Sequence, residues 1–247
     1  MNIDIWSDIA CPWCYIGKRR FEKALADFPH KDQVTVTWHS FQLDPSLPEH
    51  YDGTELDYLS KRKGMRPDQV SQMFDHVAQV AAGEGLAYDF GSVVVANSFP
   101  GHELIHLAKA ADAGTAGNST ADAVKEALLS AHFERGLDIG SREVLLAVGT
   151  AAGLAEAQIT EALDAGTYRD AVRADIRQAK MLGIQGVPFF VIDDKYGVSG
   201  AQSAELFARA LETAWRESNP LVMVGADGHP ADDDGDLTGE VCGPDGC

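Results

Sequence analysis

The sequence predicts an α/β domain that is interrupted by a helical insertion. Two observations support this prediction. Strand patterns and helix patterns alternate in residues 1–45, and they alternate again in residues 166–218. Residues 46–165, which lie between these segments, show mainly helical punctuation and helical apolar spacing. The simplest arrangement is one small α/β domain whose chain leaves to form a set of helices and then returns.

The first segment indicates the order strand, helix, strand. Ile3 and Ile5 suit a short opening strand, and the helix after it keeps apolar residues at helical spacing until Pro29. Residues 34–38 alternate between apolar and polar with period two, which predicts a half-buried strand running on toward Leu43.

Helix signals dominate the insertion. Pro67 stands at a first helical position, and a further helix follows Pro100. Another helix is predicted to be capped by Ser119 and to run to Gly136. Residues 92–96 fit either a strand or a loop.

The closing segment returns to alternating elements, in the order helix, strand, strand, helix. The predicted bounds are residues 168–182 for the first helix, 188–192 and 196–198 for the strands, and 201–216 for the last helix. The first strand is continuously apolar, which is typical of a strand buried on both faces. Residues 219–247 contain seven acidic residues and no Lys or Arg, and we expect them to be a mobile tail.

The composition excludes several classes of protein. The 247 residues are 45% hydrophobic and 23% charged, which is ordinary for a globular chain. The formal net charge of −18 repels phosphate backbones and anionic lipid, so we expect neither nucleic-acid nor membrane partners.

The sequence has no apolar run near the ~18 residues of a membrane span and no signal-peptide pattern, so a cytoplasmic location is expected. Four cysteines in such a protein favour redox, catalytic or metal-binding roles over permanent disulfides.

A Cys-Pro-Trp-Cys motif follows the opening strand and begins the first helix. The N-terminus of a helix stabilises a thiolate, so Cys11 is predicted to be the attacking nucleophile, partly exposed and with a lowered pKa. Cys14, one turn further on, is predicted to resolve the mixed disulfide. Pro12 suits the first helical position, and Trp13 is expected to shield the pair and to offer an apolar surface. Inert thiols or half of a zinc site are the alternatives, but we expect no metal.

A second pair, Cys242 and Cys247, lies in the acidic tail. The glycines and the proline between them favour a tight turn, which predicts a labile auxiliary disulfide that exchanges with the first pair. Two incidental surface thiols are the alternative interpretation.

Two other motifs do not carry a function. His102–His106 matches the H-E-x-x-H metalloprotease helix, but no pattern supplies the third ligand. The acidic run Asp232–Asp236 resembles a calcium loop in composition only, because Pro230 would occupy its first ligand position. No glycine-rich phosphate loop is present, so we expect no nucleotide cofactor.

The residues around the first cysteine pair resemble a known family. Residues 5–17 resemble DsbA-like oxidoreductases of the FrnE type, and they are also similar to 2-hydroxychromene-2-carboxylate isomerases and kappa-class glutathione transferases. The resemblance covers about residues 3–216, and it continues at residues 38–45, 97–104, 183–191 and 199–202. It implies a thioredoxin-like fold with a large helical insertion.

The resemblance also implies site residues and an activity. Val187 and Pro188 match the cis-proline loop that faces the cysteine motif, and this loop is expected to pair with an extended substrate segment. The isomerase and transferase branches usually carry serine at the position of Cys11, so two cysteines favour thiol–disulfide exchange or disulfide isomerisation on protein substrates. Glutathione is a candidate redox partner, and no bound cofactor is implied. The alternative enzymatic function is that of a glutathione-dependent isomerase or transferase. The alternative non-enzymatic function is that of a zinc-stabilised binding module.

Overall fold

The structure is a computed structural model that describes residues 1–48, 51–113 and 119–220. Four strands form one sheet in these ranges: β1 Asn2–Ser7, β2 Thr35–Ser40, β3 Phe189–Ile192 and β4 Tyr196–Ser199. The helices described are α1 Pro12–Ala26, α2 Glu55–Lys63, α3 Pro67–Gly83, α4 Phe99–Ala111, α5 Ser119–Phe133, α6 Arg142–Ala151, α7 Glu156–Ala165, α8 Arg169–Met181 and α9 Ala204–Ser218. The predicted α/β fold of the thioredoxin-like type with inserted helices is confirmed. The segment boundaries drawn from the sequence stay predictions.

The strand order β2-β1-β3-β4 brings distant parts of the chain together in the middle of the sheet. β1 pairs in parallel with β2, to which α1 connects it, and antiparallel with β3. Since Trp6 pairs with Phe189, the end of β1 lies beside the beginning of β3. The residues after β1 and the residues before β3 therefore meet at one end of the sheet.

Helices cover both faces of the sheet. On one face the rings of Phe21 in α1, Phe190 in β3 and Phe207 in α9 pack together, with centroids 5.4, 5.7 and 4.6 Å apart. On the other face Ala179 of α8 packs with Trp6 in a smaller cluster. Burying each such aromatic ring contributes roughly 1.5–3 kcal/mol. β3 is fully buried on the first face but only half-buried on the second, whereas the sequence predicted burial on both.

The inserted helices pack directly against α1. Tyr15 and Ile16 of α1 belong to a buried cluster that includes Phe133 of α5. The Tyr88 hydroxyl, in the loop after α3, donates a hydrogen bond of 2.7 Å to the carbonyl oxygen of Pro12. The insertion therefore holds the first turn of the helix that carries the cysteine motif.

Two elements of the first segment end earlier than predicted. α1 stops short of Pro29, because Phe28 leaves the helix and its ring packs against Trp215 with a centroid distance of 5.9 Å. β2 stops short of Leu43, because the Leu43 amide turns away and donates a 2.8 Å hydrogen bond to Oδ2 of Asp8.

Two other predicted details differ, and one open alternative is decided by the structure. α9 begins later than predicted, at Ala204, because the Ser203 side chain caps it. Ser119 is the first residue of α5 and not the residue before it. The ambiguous stretch before α4 is a loop that makes one isolated β-bridge, between Val94 and Thr54.

Among the described residues, none of the helices is long and apolar enough to cross a membrane. Residues 221–247, with Cys242, Cys247 and the acidic run Asp232–Asp236, lie outside the described part of the chain.

Candidate active site

Cys11 and Cys14 stand at the start of α1, a few residues after the end of β1. The Cys11 amide donates a 3.3 Å hydrogen bond to the carbonyl oxygen of Asp8, which closes the turn between strand and helix. Cys11 precedes the helix with an extended backbone, and Pro12 occupies the first helical position, where its missing N–H costs nothing. The partial positive charge of the helix N-terminus therefore lies beside Cys11.

The loop before β3 faces these cysteines. The peptide bond between Val187 and Pro188 is cis. The Cys11 thiol donates to the carbonyl oxygen of Val187, with an Sγ–O distance of 3.5 Å. A Cβ atom added to Gly17 of α1 would lie 2.8 Å from Cγ of Pro188, so the absence of a side chain there permits the close approach. The structure thus brings the motif and the predicted docking loop into contact.

Both thiols are free and buried, with 4% of Cys11 and 1% of Cys14 exposed. Interaction with the Cys14 side chain, burial, and repulsion by Cys14 and Asp8 raise the pKa of Cys11. Burial also acts to raise the pKa of Cys14, but interaction with the Cys11 side chain and the charge of Lys125 outweigh it and lower that pKa. The sequence predicted a partly exposed Cys11 with a lowered pKa. The structure differs from this prediction: the Cys11 thiol keeps its proton, because it is buried, lies beside negative charge and donates to the carbonyl oxygen of Val187.

Lys125 of α5 is a buried cation next to the cysteine pair. It is 1% exposed, and its Nζ atom lies 3.5 Å from the carbonyl oxygen of Ser7 and 5.7 Å from the ring centroid of Trp38. Burial lowers the pKa of Lys125 to about 8, although nearby thiolate and carboxylate charge acts in the opposite direction. The ammonium is thus retained at neutral pH and supplies positive charge behind the thiols.

Asp8 and His102 form a second buried pair in front of the motif. They are 2% and 1% exposed, and Nε2 of His102 lies 3.3 Å from Oδ1 of Asp8. Burial alone raises the pKa of Asp8, but hydrogen bonds from His102 and from the Leu43 amide outweigh it and hold that pKa below its ordinary value. Burial lowers the pKa of His102, so its neutral ring donates to the carboxylate. A fixed negative charge therefore stands three residues before Cys11.

His102 and His106, which share the H-E-x-x-H pattern, are held by different partners. His102 contacts Asp8, whereas Nε2 of His106 lies 3.0 Å from Oδ2 of Asp175 and 3.2 Å from Oγ of Ser40. No group of three or more His, Cys, Asp or Glu side chains among the described residues could hold a metal ion.

A small cavity of about 160 Å³ adjoins the motif, and Asp8, Ala10 and His132 are part of its lining. Trp13 is half-buried, with its ring centroid 6.5 Å from that of His76 on α3. The shielding role expected for Trp13 stays a prediction.

The part of the chain that contains the strand, the cysteine motif, the helix and the cis-proline loop matches a known domain. A family model described as a DSBA-like thioredoxin domain matches residues 2–212. The chain belongs to this family.

Solved structures of similar proteins support the assignment to the DSBA-like family. The chain is 42% identical to the probable DsbA oxidoreductase SCO1869 from Streptomyces coelicolor, covering 100% of this chain and 98% of that one with a TM-score of 0.80. It is 22% identical to the cytosolic disulfide reductase DsbM from Pseudomonas aeruginosa with GSH, covering 87% and 100% of the two chains with a TM-score of 0.60. It is 15% identical to a 2-hydroxychromene-2-carboxylate isomerase, covering 88% and 98% with a TM-score of 0.62. The last two similarities show the fold alone.

Sequence reasoning missed three charged or polar groups of this DSBA-like site: Asp8, His102 and Lys125. A signal for Lys125 was present, because it lies between Val124 and Leu128 on the apolar face of its helix. Nothing in the sequence indicated that Lys125 lies close to the cysteines, because only the packing of α5 against α1 brings it near them.

Proposed function

We propose that this DSBA-like chain is a cytoplasmic protein thiol–disulfide oxidoreductase of the FrnE type, in which Cys11 is the nucleophile and Cys14 the resolving thiol. One observation carries the proposal: two free, buried cysteines lie at the start of α1, and the thiol of the first donates to the carbonyl oxygen of Val187. A thiol pair next to a helix N-terminus and a buried cation is the environment that favours thiolate chemistry.

The reaction begins with a proton shift within the pair. Cys14 has the lower pKa and loses its proton to solvent first, and its thiolate then takes the proton of Cys11, which leaves the negative charge on the more exposed sulfur. The Cys11 thiolate attacks one sulfur of a client disulfide, forms a mixed disulfide and releases the other client sulfur as a thiolate.

Cys14 then completes the exchange. The client thiolate released in the first step takes the proton of Cys14, whose thiolate is stabilised by the Lys125 charge, and the sulfur of Cys14 attacks Cys11 in the mixed disulfide and releases the second client thiolate. The client gains two electrons, and Cys11 and Cys14 lose them as they form a disulfide. Two glutathione molecules reduce that disulfide and become glutathione disulfide. A chain that begins oxidised runs the same steps in reverse and oxidises or rearranges its clients.

Val187 and Pro188 are the proposed docking site for the client. Main-chain groups of an extended peptide pair with a loop of this kind, so binding needs no particular client sequence. The auxiliary pair Cys242 and Cys247 is proposed to exchange with the first pair, and this step rests on the sequence alone.

Insulin reduction by the purified, reduced protein tests the proposal. We expect glutathione to sustain turnover of the interchain disulfides, and alkylation of Cys11 and Cys14 to abolish it. A redox titration in glutathione buffers then shows whether the pair is poised as a reductant or as an oxidant. A protein without exchange activity that conjugates glutathione to an electrophile after alkylation would establish the transferase alternative instead.

A further inference from the structure

A large cavity lies away from the cysteine pair. Its volume is about 820 Å³, which is within the range of small-molecule sites. Helices α4, α6, α7 and α8 and the segment after β2 line it, and neither cysteine does.

The lining is strongly cationic. It contains five basic side chains and one acidic side chain, and the basic ones are Arg142, Arg169, Arg173, Arg177 and Lys180. The whole chain has only 20 Lys and Arg residues and a net charge of −18. A quarter of all basic residues therefore surround one cavity of an acidic protein.

Helix α8 supplies four of these cations on one face. Arg169, Arg173 and Arg177 are spaced four residues apart, and Lys180 follows three residues later. Like charges at this spacing repel and destabilise a helix by roughly 0.2–0.5 kcal/mol per pair. Arg177 and Lys180 form no ion pair with any residue in the described ranges of the chain. Arg173 pairs with Asp170 and Arg169 with Glu103, so Arg177 and Lys180 are the two α8 cations left available to a bound anion.

Glu103 of α4 is the acidic residue of the lining. Its side chain is 5% exposed, and its Oε1 atom accepts no hydrogen bond from the described residues. The nearest cation, Nε of Arg169, is 3.6 Å away. A buried carboxylate oxygen without a donor is costly, so a ligand with a donor group would satisfy it.

Apolar side chains complete the wall. Phe99, Leu145, Leu163 and Ile176 line the cavity, and the guanidinium carbon of Arg173 lies 5.9 Å from the ring centroid of Phe99. We infer that this cavity binds a small organic anion that carries at least two acidic groups, an apolar body and a hydrogen-bond donor for Glu103. The acidic groups are carboxylates or phosphates, because the planar guanidinium fork pairs with either. This site is separate from the proposed redox centre.

Calorimetric titration of the full chain with 5-hydroxyisophthalate tests the inference, because this probe has two carboxylates, an aromatic ring and one hydroxyl donor. We expect saturable one-site binding that weakens as salt is added. Isophthalate, which lacks only the hydroxyl, should bind at least threefold more weakly. 3-Hydroxyphenyl phosphate in a parallel titration shows whether phosphate or carboxylate is preferred.

The variant Arg177→Gln/Lys180→Gln should lower the affinity for the better probe at least tenfold. Its matched control is Lys23→Gln/Arg209→Gln, which removes two exposed charges from α1 and α9 and should leave the affinity within twofold. Alkylation of the cysteines should also leave the affinity unchanged.

Glu103→Leu tests the donor requirement, and in that variant the preference for 5-hydroxyisophthalate over isophthalate should disappear. If the Glu103→Leu variant does not fold, the double variant on α8 still tests whether the cavity binds the anion. The inference is overturned if neither acidic probe binds at low salt, or if the control double variant loses as much affinity as the α8 variant. It is also overturned if the probes bind only after Asp232, Asp233 and Asp234 are replaced by Asn in the full chain. That result would mean that the acidic run of the chain itself occupies the cavity.

Discussion

Nζ of Lys125 lies 3.5 Å from the carbonyl oxygen of Ser7, the last residue of β1. This contact fixes a buried ammonium behind the sulfur of Cys14, whose pKa it lowers. The helical insertion therefore contributes directly to the electrostatics of the cysteine motif.

Replacing Lys125 by Met should raise the pKa of Cys14, because the buried positive charge is lost while the apolar stem is kept. We expect iodoacetamide alkylation of the reduced pair at pH 7 to slow at least threefold, with the pH profile displaced to higher pH. Lys23→Met removes an exposed lysine of α1 and is the matched control. An unchanged pH profile in Lys125→Met would contradict the electrostatic role.

Replacing Cys11 by Ser should abolish insulin reduction with the fold intact, because the attacking sulfur is gone. Replacing Cys14 by Ser should instead accumulate mixed disulfides between Cys11 and clients, since attack proceeds and resolution fails. Non-reducing gels and mass spectrometry detect these species. Retention of full activity in Cys11→Ser would refute the mechanism.

Gly17→Ala should disturb the contact between α1 and the docking loop. The added Cβ would lie 2.8 Å from Cγ of Pro188, so the loop has to shift, at a cost of about 1–3 kcal/mol in the free energy of unfolding. We expect slower reduction of protein clients as well. Gly83→Ala, at the end of α3, meets no atom within 4 Å and should be neutral or stabilising. Equal unfolding free energies for the two variants would argue against the close contact.

The stability of the fold should decrease as the pH falls from 6.5 toward 4, in part because of His132. Burial lowers the pKa of His132 from 6.5 to about 4, so the unfolded chain takes up a proton in this interval and the folded chain does not. The contribution of neutral His132 to the free energy of unfolding is complete above the pKa of the unfolded chain, near 6.5. This contribution falls by roughly 3 kcal/mol as the pH drops from 6.5 to 4.

His132→Leu should flatten this part of the pH dependence when unfolding is measured in urea. A comparison at pH 8, where the imidazole is neutral in both states, separates the packing cost of the substitution from its effect on titration. A variant with the same slope as the wild type would show that other groups account for the pH dependence.

The double variant Cys242→Ser/Cys247→Ser should keep Cys11-dependent activity but change its rate or redox poise. The sequence predicts a mobile tail, and a flexible chain of about 25 residues would have a root-mean-square span of roughly 25–30 Å. Mass spectrometry of the Cys14→Ser protein should detect a disulfide between Cys11 and one tail cysteine. If no such link forms and the double variant matches the wild type in every redox assay, the second pair is incidental.

Local signals were sufficient to predict the general fold and the position of the motif. The period-two alternation of β2 and the helical spacing after Cys14 are properties of neighbouring residues, and they do not depend on the rest of the chain. The predicted ends of helices and strands were wrong where a contact with a distant residue determines where the element ends. Phe28 continues the apolar pattern of α1, yet it leaves the helix to pack on Trp215 near the other end of the described chain.

The charged surroundings of the thiols could not be predicted for the same reason. Asp8 is close to Cys11 in sequence, but its ionisation depends on His102, which belongs to the insertion. The shift in the pKa of Cys11 also depends on burial, which the motif itself does not encode. Residues alone therefore predict which sulfur atoms react but not the electrostatic environment around them.

The contact between Cys11 and Val187 joins residues that are 176 positions apart. Most helical contacts within the insertion are local, and contacts of short sequence separation form faster than those that close long loops. During synthesis the cysteine motif emerges long before β3, so for a time the chain carries its thiols without the loop that faces them. If the proposed docking role of Val187 and Pro188 holds, thiol chemistry in that interval lacks its docking loop, and selectivity for clients arises only when the last strands have joined the sheet.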